Sequence, residues 1–459
     1  MKWISGALFG LGAMAMAMPI SAGAAESPNV KKLDAELAAI VRDASHPLAS
    51  LSVLAMKDGK VVYHRQFGHR TIDTANAAKN RPANADTMYR IASISKLIVT
   101  LGVMKLVEDG KLSLDTDVSG TLGFKLRNPN FPDDAITLRM LLNHTSSIRD
   151  DGGYYWEAKL GIGFTDVLVP GSKLYGEGKM WAKNAKPGAY FQYANLPWGV
   201  VGMMMERATG ERFDRLMRRL ILDPMTLKGG FHPADFSKED LSNVATLYRK
   251  RSGDEGKEVW NPKGPWIAQV DDYLTAPPTP RALPNYVIGT NGSLFGPMGN
   301  CRLTAEGLGK VMLMLMNGGV HEGRQILKTG SVEQMLSVQW HHDGKALNGN
   351  SNGEIGFGTH RDLMNVWGLG VQHFQDISGP NRGDRLVEGG GFKASGHLGD
   401  AWGLTSAMVF DRKTKNGLIF LTGGPGFDPE IYTGKYSAFY RHEEKILTAL
   451  YRYTIDAGQ

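Results

Sequence analysis

The chain has 459 residues, 42% of them hydrophobic and 21% charged, the composition of a packed globular protein, which excludes a disordered or fibrous one. A formal net charge of +6 is mild at this length and gives no argument for nucleic-acid binding. The single cysteine, Cys301, excludes an internal disulfide and reads as a core side chain, so packing has to hold the fold.

Met1-Lys2, an uncharged run through Leu8 and Leu11 to Ile20, and Ala22-Gly23-Ala24-Ala25 have the charged start, short apolar core and small-residue cut site of a secretory signal peptide over residues 1–25. Cleavage is expected after Ala24 or Ala25, delivery to the periplasm follows, and no stable membrane span is expected in the remainder. Next, Asn29 to Asp43 places Leu33, Leu37, Ile40 and Val41 on one stripe and predicts a helix. Leu51–Met56 and Lys60–Phe67 are strand-like runs around Lys57-Asp58-Gly59, a turn in which Gly supplies positive φ, so they predict a hairpin. Helical spacing then dominates at Ser93–Asp109, Asn195–Ala208, Arg212–Leu222 and Thr304–Met316. The Pro-rich Asn261–Tyr286 and the Gly/Asn-rich His342–Gly353 read as long surface loops. A second hairpin, Gly403–Phe410 with Gly417–Leu421, and a helix from Tyr440 to Tyr453 complete the pattern. Together these predict an α/β fold. Residues 26–85 and 335–459 build an antiparallel sheet flanked by helices, and residues 86–334 form a mostly helical domain inserted into it.

Three short segments carry candidate chemistry. Ser93 and Lys96, in Tyr89-Arg-Ile-Ala-Ser93-Ile-Ser95-Lys96, put a hydroxyl and an amine one helical turn apart, the minimum equipment of a self-activating serine nucleophile. Tyr193 and Asn195 sit two apart in an extended stretch, so a phenol suited to proton transfer and an amide suited to a carbonyl or to Lys96 face one side. Gly396-His397-Leu398-Gly399-Asp400 lies in a glycine-rich strand whose bare backbone can approach a ligand. Taken singly, each has an ordinary explanation: a helix cap at Ser93, a solvated Lys96, a half-buried aromatic at Tyr193, a turn at the glycines. No spacing of Asp, Glu or His points to a metal site, and this chemistry needs no cofactor.

In this order and with these flanks the segments resemble the motifs of the serine beta-lactamase and penicillin-binding-protein superfamily, in the branch of class C beta-lactamases, D-alanyl-D-alanine carboxypeptidases and family VIII esterases. Leu141-Leu-Asn-His144-Thr-Ser-Ser-Ile148-Arg-Asp150, Gly292-Ser-Leu-Phe-Gly296 and Trp367-Gly-Leu-Gly370 are similar to further landmarks of that branch. The resemblance runs from Leu33 to the C-terminal helix. It implies a beta-lactamase/transpeptidase-like fold with the site in a cleft between sheet and helical domain. By the same resemblance Ser93 is acylated, Lys96 and Tyr193 share the proton work, and either can be the base. Asn195 holds substrate and orients Lys96, while the backbone N–H groups of Ser93 and Asp400, the latter following Gly399 on the strand edge, form an oxyanion hole. His144 reads as structural, and Tyr154, Tyr155 and Trp156 as either pocket wall or packing.

One departure bears on substrate choice. Beta-lactamases and peptidases of the superfamily carry Lys-Thr-Gly where this chain has His397-Leu398-Gly399, so a permanent cation and a hydroxyl that recognise a carboxylate are both replaced. An ordinary histidine is mostly neutral at pH 7. Lys393 lies four residues away, roughly 13 Å along a strand. The expectation is a periplasmic serine hydrolase of esterase type, acting on small esters or amides that need no carboxylate handle. A beta-lactamase or D-alanyl-D-alanine carboxypeptidase with altered recognition is the alternative, as is a penicillin-binding sensor that acylates without turnover.

Overall fold

Three of the four hairpin strands, Ser50–Lys57, Leu404–Asp411 and Asn416–Thr422, are buried nearly throughout rather than alternately, because the part of the sheet they build is covered on both faces. The computed structural model describes residues 27–156, 161–253, 259–273, 276–278, 286–353 and 361–456. The expected signal peptide lies outside the described residues.

Helix α1 (Pro28–Val41) is capped by the Ser27 hydroxyl, which accepts the Val30 N–H, and buries the predicted stripe Leu33, Leu37, Ile40 and Val41. Strands β1 (Ser50–Lys57) and β2 (Lys60–Thr71) turn through Asp58 and Gly59, both at positive φ, as a two-residue hairpin requires. Strand β3 (Arg81–Pro82) follows, and β4 (Tyr89–Arg90) leads into α2 (Ile94–Glu108). The middle of the chain supplies α3 (Leu196–Thr209), β5 (Gly229–Gly230), β6 (Arg302–Leu303) and α4 (Ala305–Met316). After these come β7 (Trp340–His341), β8 (Val366–Trp367), β9 (Gln372–Phe374), β10 (Ala394–Ala401), β11 (Leu404–Asp411), β12 (Asn416–Thr422) and α5 (Arg441–Leu450).

Nine strands form one antiparallel sheet in the order β7-β8-β9-β10-β11-β12-β1-β2-β3. Distant parts of the chain therefore meet at the β12–β1 pair, with Leu51 opposite Thr422 and Met56 opposite Gly417. The strand period of two sorts side chains between two cores. Along β11, Leu404, Met408 and Phe410 join the core shared with α4 and the helical middle, while Ala407 and Val409 join the one beneath α1 and α5. Helix α2 is buried nearly all round, from Ile94 through Met104, which is why it lacks a polar face. No described helix is long and apolar enough to cross a membrane.

Three expectations are adjusted. The segment Arg212–Leu222 is an α-helix only over Phe213–Met217 and continues as a π-helical turn, Arg218–Leu222. The Pro-rich stretch is not all surface loop: Ile267–Val270 pairs with Leu247–Arg249, and Asp271 behind it is only 5% exposed. Likewise His342–Gly353 is tied inward, where the Asn348 carbonyl accepts the Phe191 N–H at 2.9 Å and the Trp340 indole N–H at 3.0 Å.

Candidate active site

Ser93 stands where β4 gives way to α2, at the helix N-cap. The approach is rigid. Arg90 pairs with Arg302 across the β4–β6 ladder, and the Ile91 N–H donates to the Cys301 carbonyl at 2.9 Å. Both arginines donate two bonds each to the buried Asp271 carboxylate, at 2.7–3.2 Å. Burial alone would push that carboxyl up, but Arg302 and Arg90 hold it well below the usual carboxylate range. Ala92 then takes φ +44°, unusual for a side chain with a Cβ, and this reversal turns the strand into the helix. Cys301 is wholly buried, and burial pushes its thiol up to about 12, as a packing residue rather than a reactive one.

Lys96 is fully buried one turn along α2. Its ammonium donates to Ser93 Oγ at 2.9 Å, to Asn195 Oδ1 at 2.8 Å and to the Met298 carbonyl at 3.0 Å. Three acceptors match three N–H groups. The Tyr193 ring centroid lies 4.9 Å from Nζ. Asn195 occupies the N-cap of α3, yet its side chain does not cap; the helix is capped instead by Asp150, which accepts the Asn195 N–H at 2.7 Å, the Leu196 N–H at 2.8 Å and Asn195 Nδ2–H at 3.0 Å. Asp150 thereby fixes the amide so that its oxygen faces Lys96. Sequence reading gave Asp150 no role, since its partners lie 45 residues later and only the fold joins them.

His144 is buried beneath this group. Its ring stacks on Tyr193 at 4.4 Å and its Nδ1 accepts the Ala194 N–H at 3.2 Å, while burial, with Lys96 and His397 adding repulsion, drives its pKa well below the ordinary value. It ties the turn that carries Tyr193.

The opposite wall is β10. Its pairing with β9 covers only Ala394 to Gly396, so from His397 to Ala401 it is laddered on one side only, against β11. Gly399 lets this edge press on the nucleophile segment: a Cβ there would lie 2.6 Å from the Ile91 carbonyl oxygen and 3.2 Å from Ala92 Cβ. His397, 2% exposed, donates Nδ1–H to the Leu398 carbonyl at 2.6 Å, and burial, followed by the charge on Lys96, lowers its pKa to about 3. It is a neutral imidazole across the working pH range.

Ser93, Tyr193, His397, Leu398, Gly399 and Asp400 line one cavity of about 80 Å³, with Lys96 and Asn195 directly behind Ser93. The structure thus gathers every residue singled out for the site. It adds Gly353, from the stretch read as a surface loop, and Glu443, from the first turn of α5. Lys393 lies elsewhere, in an open groove with His373 and Arg412, so it does not replace the missing cation. Tyr154 and Tyr155 are exposed and Trp156 packs edge-on against Phe164 at 5.8 Å; none of the three lines the cavity. The described residues hold no cluster of three or more metal-ligating side chains.

Comparison with known proteins agrees with this architecture. Protein flp of Staphylococcus aureus (strain N315) is 27% identical over 177 residues, and penicillin-binding protein 4* of Bacillus subtilis (strain 168) is 28% identical over 177 residues. Each match covers 38% of this chain and about a third of the relative, 33% and 36%. Among solved structures, the octameric penicillin-binding protein homologue from Pyrococcus abyssi superposes with a TM-score of 0.57 at 22% identity, covering 87% of this chain and 74% of that one. D-amino acid amidase from Ochrobactrum anthropi, complexed with D-phenylalanine, gives 0.57 at 18% identity over 93% and 97% of the two chains. These likenesses establish a shared fold. The family model described as Beta-lactamase matches residues 33–438, nearly the whole described chain, and the protein belongs to that family.

Proposed function

We propose that this protein is an exported serine hydrolase that works through an acyl-enzyme on Ser93 and turns over small carboxylic esters or amides lacking a carboxylate handle. The carrying observation is the 2.9 Å contact between Lys96 Nζ and Ser93 Oγ at the floor of a cavity whose strand wall bears a neutral His397 instead of a cation. Ser93 Oγ attacks the substrate carbonyl carbon as its proton passes to the Lys96–Tyr193 pair, which enters this step one proton short of ammonium plus phenol, with either the free amine or the phenolate as the base. The backbone N–H groups of Ser93 and Asp400 hold the resulting oxyanion, helped by the positive end of α2. The pair returns the proton to the leaving alcohol or amine, and water then releases the acid by the same route in reverse. Asn195, with its oxygen held toward Lys96, orients the amine throughout.

Turnover of short-chain p-nitrophenyl esters and of a chromogenic cephalosporin, each with the mature protein and with Ser93→Ala, tests this. Ester turnover that Ser93→Ala abolishes, without cephalosporin hydrolysis, is expected. Full activity in Ser93→Ala overturns the assignment; cephalosporin turnover moves it to a beta-lactamase, and a stable adduct mass without turnover to a penicillin-binding sensor. Export rests on the leader read at residues 1–25, and N-terminal sequencing of protein recovered from the periplasm is expected to begin at Ala25 or Glu26.

A further inference from the structure

We propose that the open groove at the end of the sheet where β10 begins is a second, non-catalytic binding site, and that its ligand is a single-chain amphiphilic anion, a long-chain carboxylate.

The groove encloses about 590 Å³ and shares no described lining residue with the Ser93 cavity. Its floor is one cross-strand row. His373 on β9 lies opposite Ser395 on β10, which lies opposite Phe410 on β11, and Val366 of β8 continues the row beside His373. At a strand spacing of about 4.8 Å this row is roughly 14 Å long. It carries no charge. His373 Nδ1 and Ser395 Oγ bond each other at 2.8 Å, and burial lowers the imidazole to about 4. Leu336 and Val338, at the end of the helix Thr329–Leu336, add an apolar wall in which Val338 is 60% exposed.

The cations gather at one end. Lys393 and Arg412 stand two residues outward from Ser395 and Phe410, so the strand period puts them on the same face and the same register sets them opposite each other, with Lys413 next. Like charges opposite each other across a ladder weaken a sheet, and an anion seated between them reverses the sign. The fold supplies little counter-charge of its own. Arg412 lies 3.7 Å from Glu333 with both side chains partly exposed, a pair worth little, and Lys393 and Lys413 have no ion pair among the described residues. Asp411 also lines the groove, but its carboxylate accepts the Lys413 N–H at 2.9 Å and the Thr414 hydroxyl at 2.7 Å within its own turn. A carboxylate head at this end meets the cations while an alkyl chain laid along the row covers Phe410, Val366 and Val338. An ammonium on the same chain would be repelled, and a small inorganic anion would leave the apolar floor uncovered.

The test is calorimetric titration of the mature protein with dodecanoate below its micelle concentration, and with dodecyltrimethylammonium as the cation of equal chain. Lys393→Gln, Arg412→Gln and Val338→Asn are titrated beside the unmodified protein. One saturable site for dodecanoate and none for the cation is expected. Each charge variant is expected to raise Kd about tenfold, the size of one charge-assisted contact, with an unchanged or higher melting temperature because the like-charge pair is relieved. Val338→Asn, at an exposed position, is expected to raise Kd without lowering the melting temperature. No saturable binding, equal binding of the cation, or a Kd that none of the three variants moves overturns the inference. Competitive inhibition of ester turnover by dodecanoate, undiminished in Lys393→Gln and Arg412→Gln, overturns it by placing the ligand in the Ser93 cavity. Co-sedimentation with phosphatidylglycerol vesicles, without binding of free dodecanoate, overturns the ligand named here in favour of a membrane surface.

Discussion

Asp150 decides which end of the Asn195 amide meets Lys96, because its carboxylate accepts Nδ2–H at 3.0 Å as well as the two backbone N–H groups that open α3. Asp150→Ala frees the amide to turn its NH₂ toward the ammonium, donor against donor, and removes a helix cap worth about 1 kcal/mol. Because the group positions rather than reacts, the expected result is a kcat for ester turnover lowered by up to about 10²-fold with KM little changed. A lower melting temperature with unchanged kcat would reduce Asp150 to a cap. The contrast with Ser93 and Lys96 shows where sequence reading reaches. Residues three positions apart on one helix are juxtaposed by backbone geometry alone, so that pair was legible; Asp150 and Asn195 meet only because Asp150 is carried to the start of α3. His397 was legible as a position, but not in its chemistry. The ordinary imidazole value predicted a mostly neutral ring, and burial with Lys96 nearby makes it neutral down to about pH 3.

Between elements, the decisive contact is the press of β10 against the Ile91–Ala92 backbone. It requires Gly399, whose missing Cβ leaves room for the Ile91 carbonyl and for Ser406 Oγ, which would lie 2.6 and 2.5 Å from it. Gly399→Ala is expected to part the strand from the nucleophile segment, costing about 1–3 kcal/mol as overpacking does and lowering kcat/KM for esters by tenfold or more. Calorimetry and ester kinetics on the purified variant check this; native stability with full activity would mean that the Asp400 N–H does not need that spacing. The hairpins that build the sheet were legible from their apolar runs and turn residues. Asp271 was not: it sits in a Pro-rich stretch that reads as a loop, and only the arginines of β4 and β6, 181 and 31 residues away, make it the buried anchor of the strand entering Ser93. The inward ties of His342–Gly353 escaped for the same reason, since the Asn348 carbonyl that binds Phe191 and Trp340 has no sequence signature.

Across the whole molecule, buried titratable groups set opposing pH slopes. Burial lowers His397 and His442 to about 3 and His373 to about 4, against an ordinary 6.5. Below pH 6.5 the unfolded chain takes up these protons and the folded chain does not. Stability therefore falls with acidification until about pH 3–4, by roughly 1.4 kcal/mol per pH unit for each histidine. Glu443 works the other way. Burial raises its carboxyl to about 8 against an ordinary 4.5, so the unfolded chain loses this proton first and stability falls as pH rises from 4.5 to 8, again by roughly 1.4 kcal/mol per unit. Below pH 6.5 these histidines, joined by His144, whose pKa burial also drives well below the ordinary value, oppose and outweigh the Glu443 slope, and above pH 6.5 the Glu443 slope remains. Glu443→Gln keeps the shape and cannot ionise. Denaturant unfolding is expected to show it about equal to the unmodified protein at pH 4.5 and more stable at pH 8, with the gap widening between those values. A constant gap across that range would mean that Glu443 ionises in the folded protein as freely as in the unfolded one, and that the wall facing Ser93 is open to water.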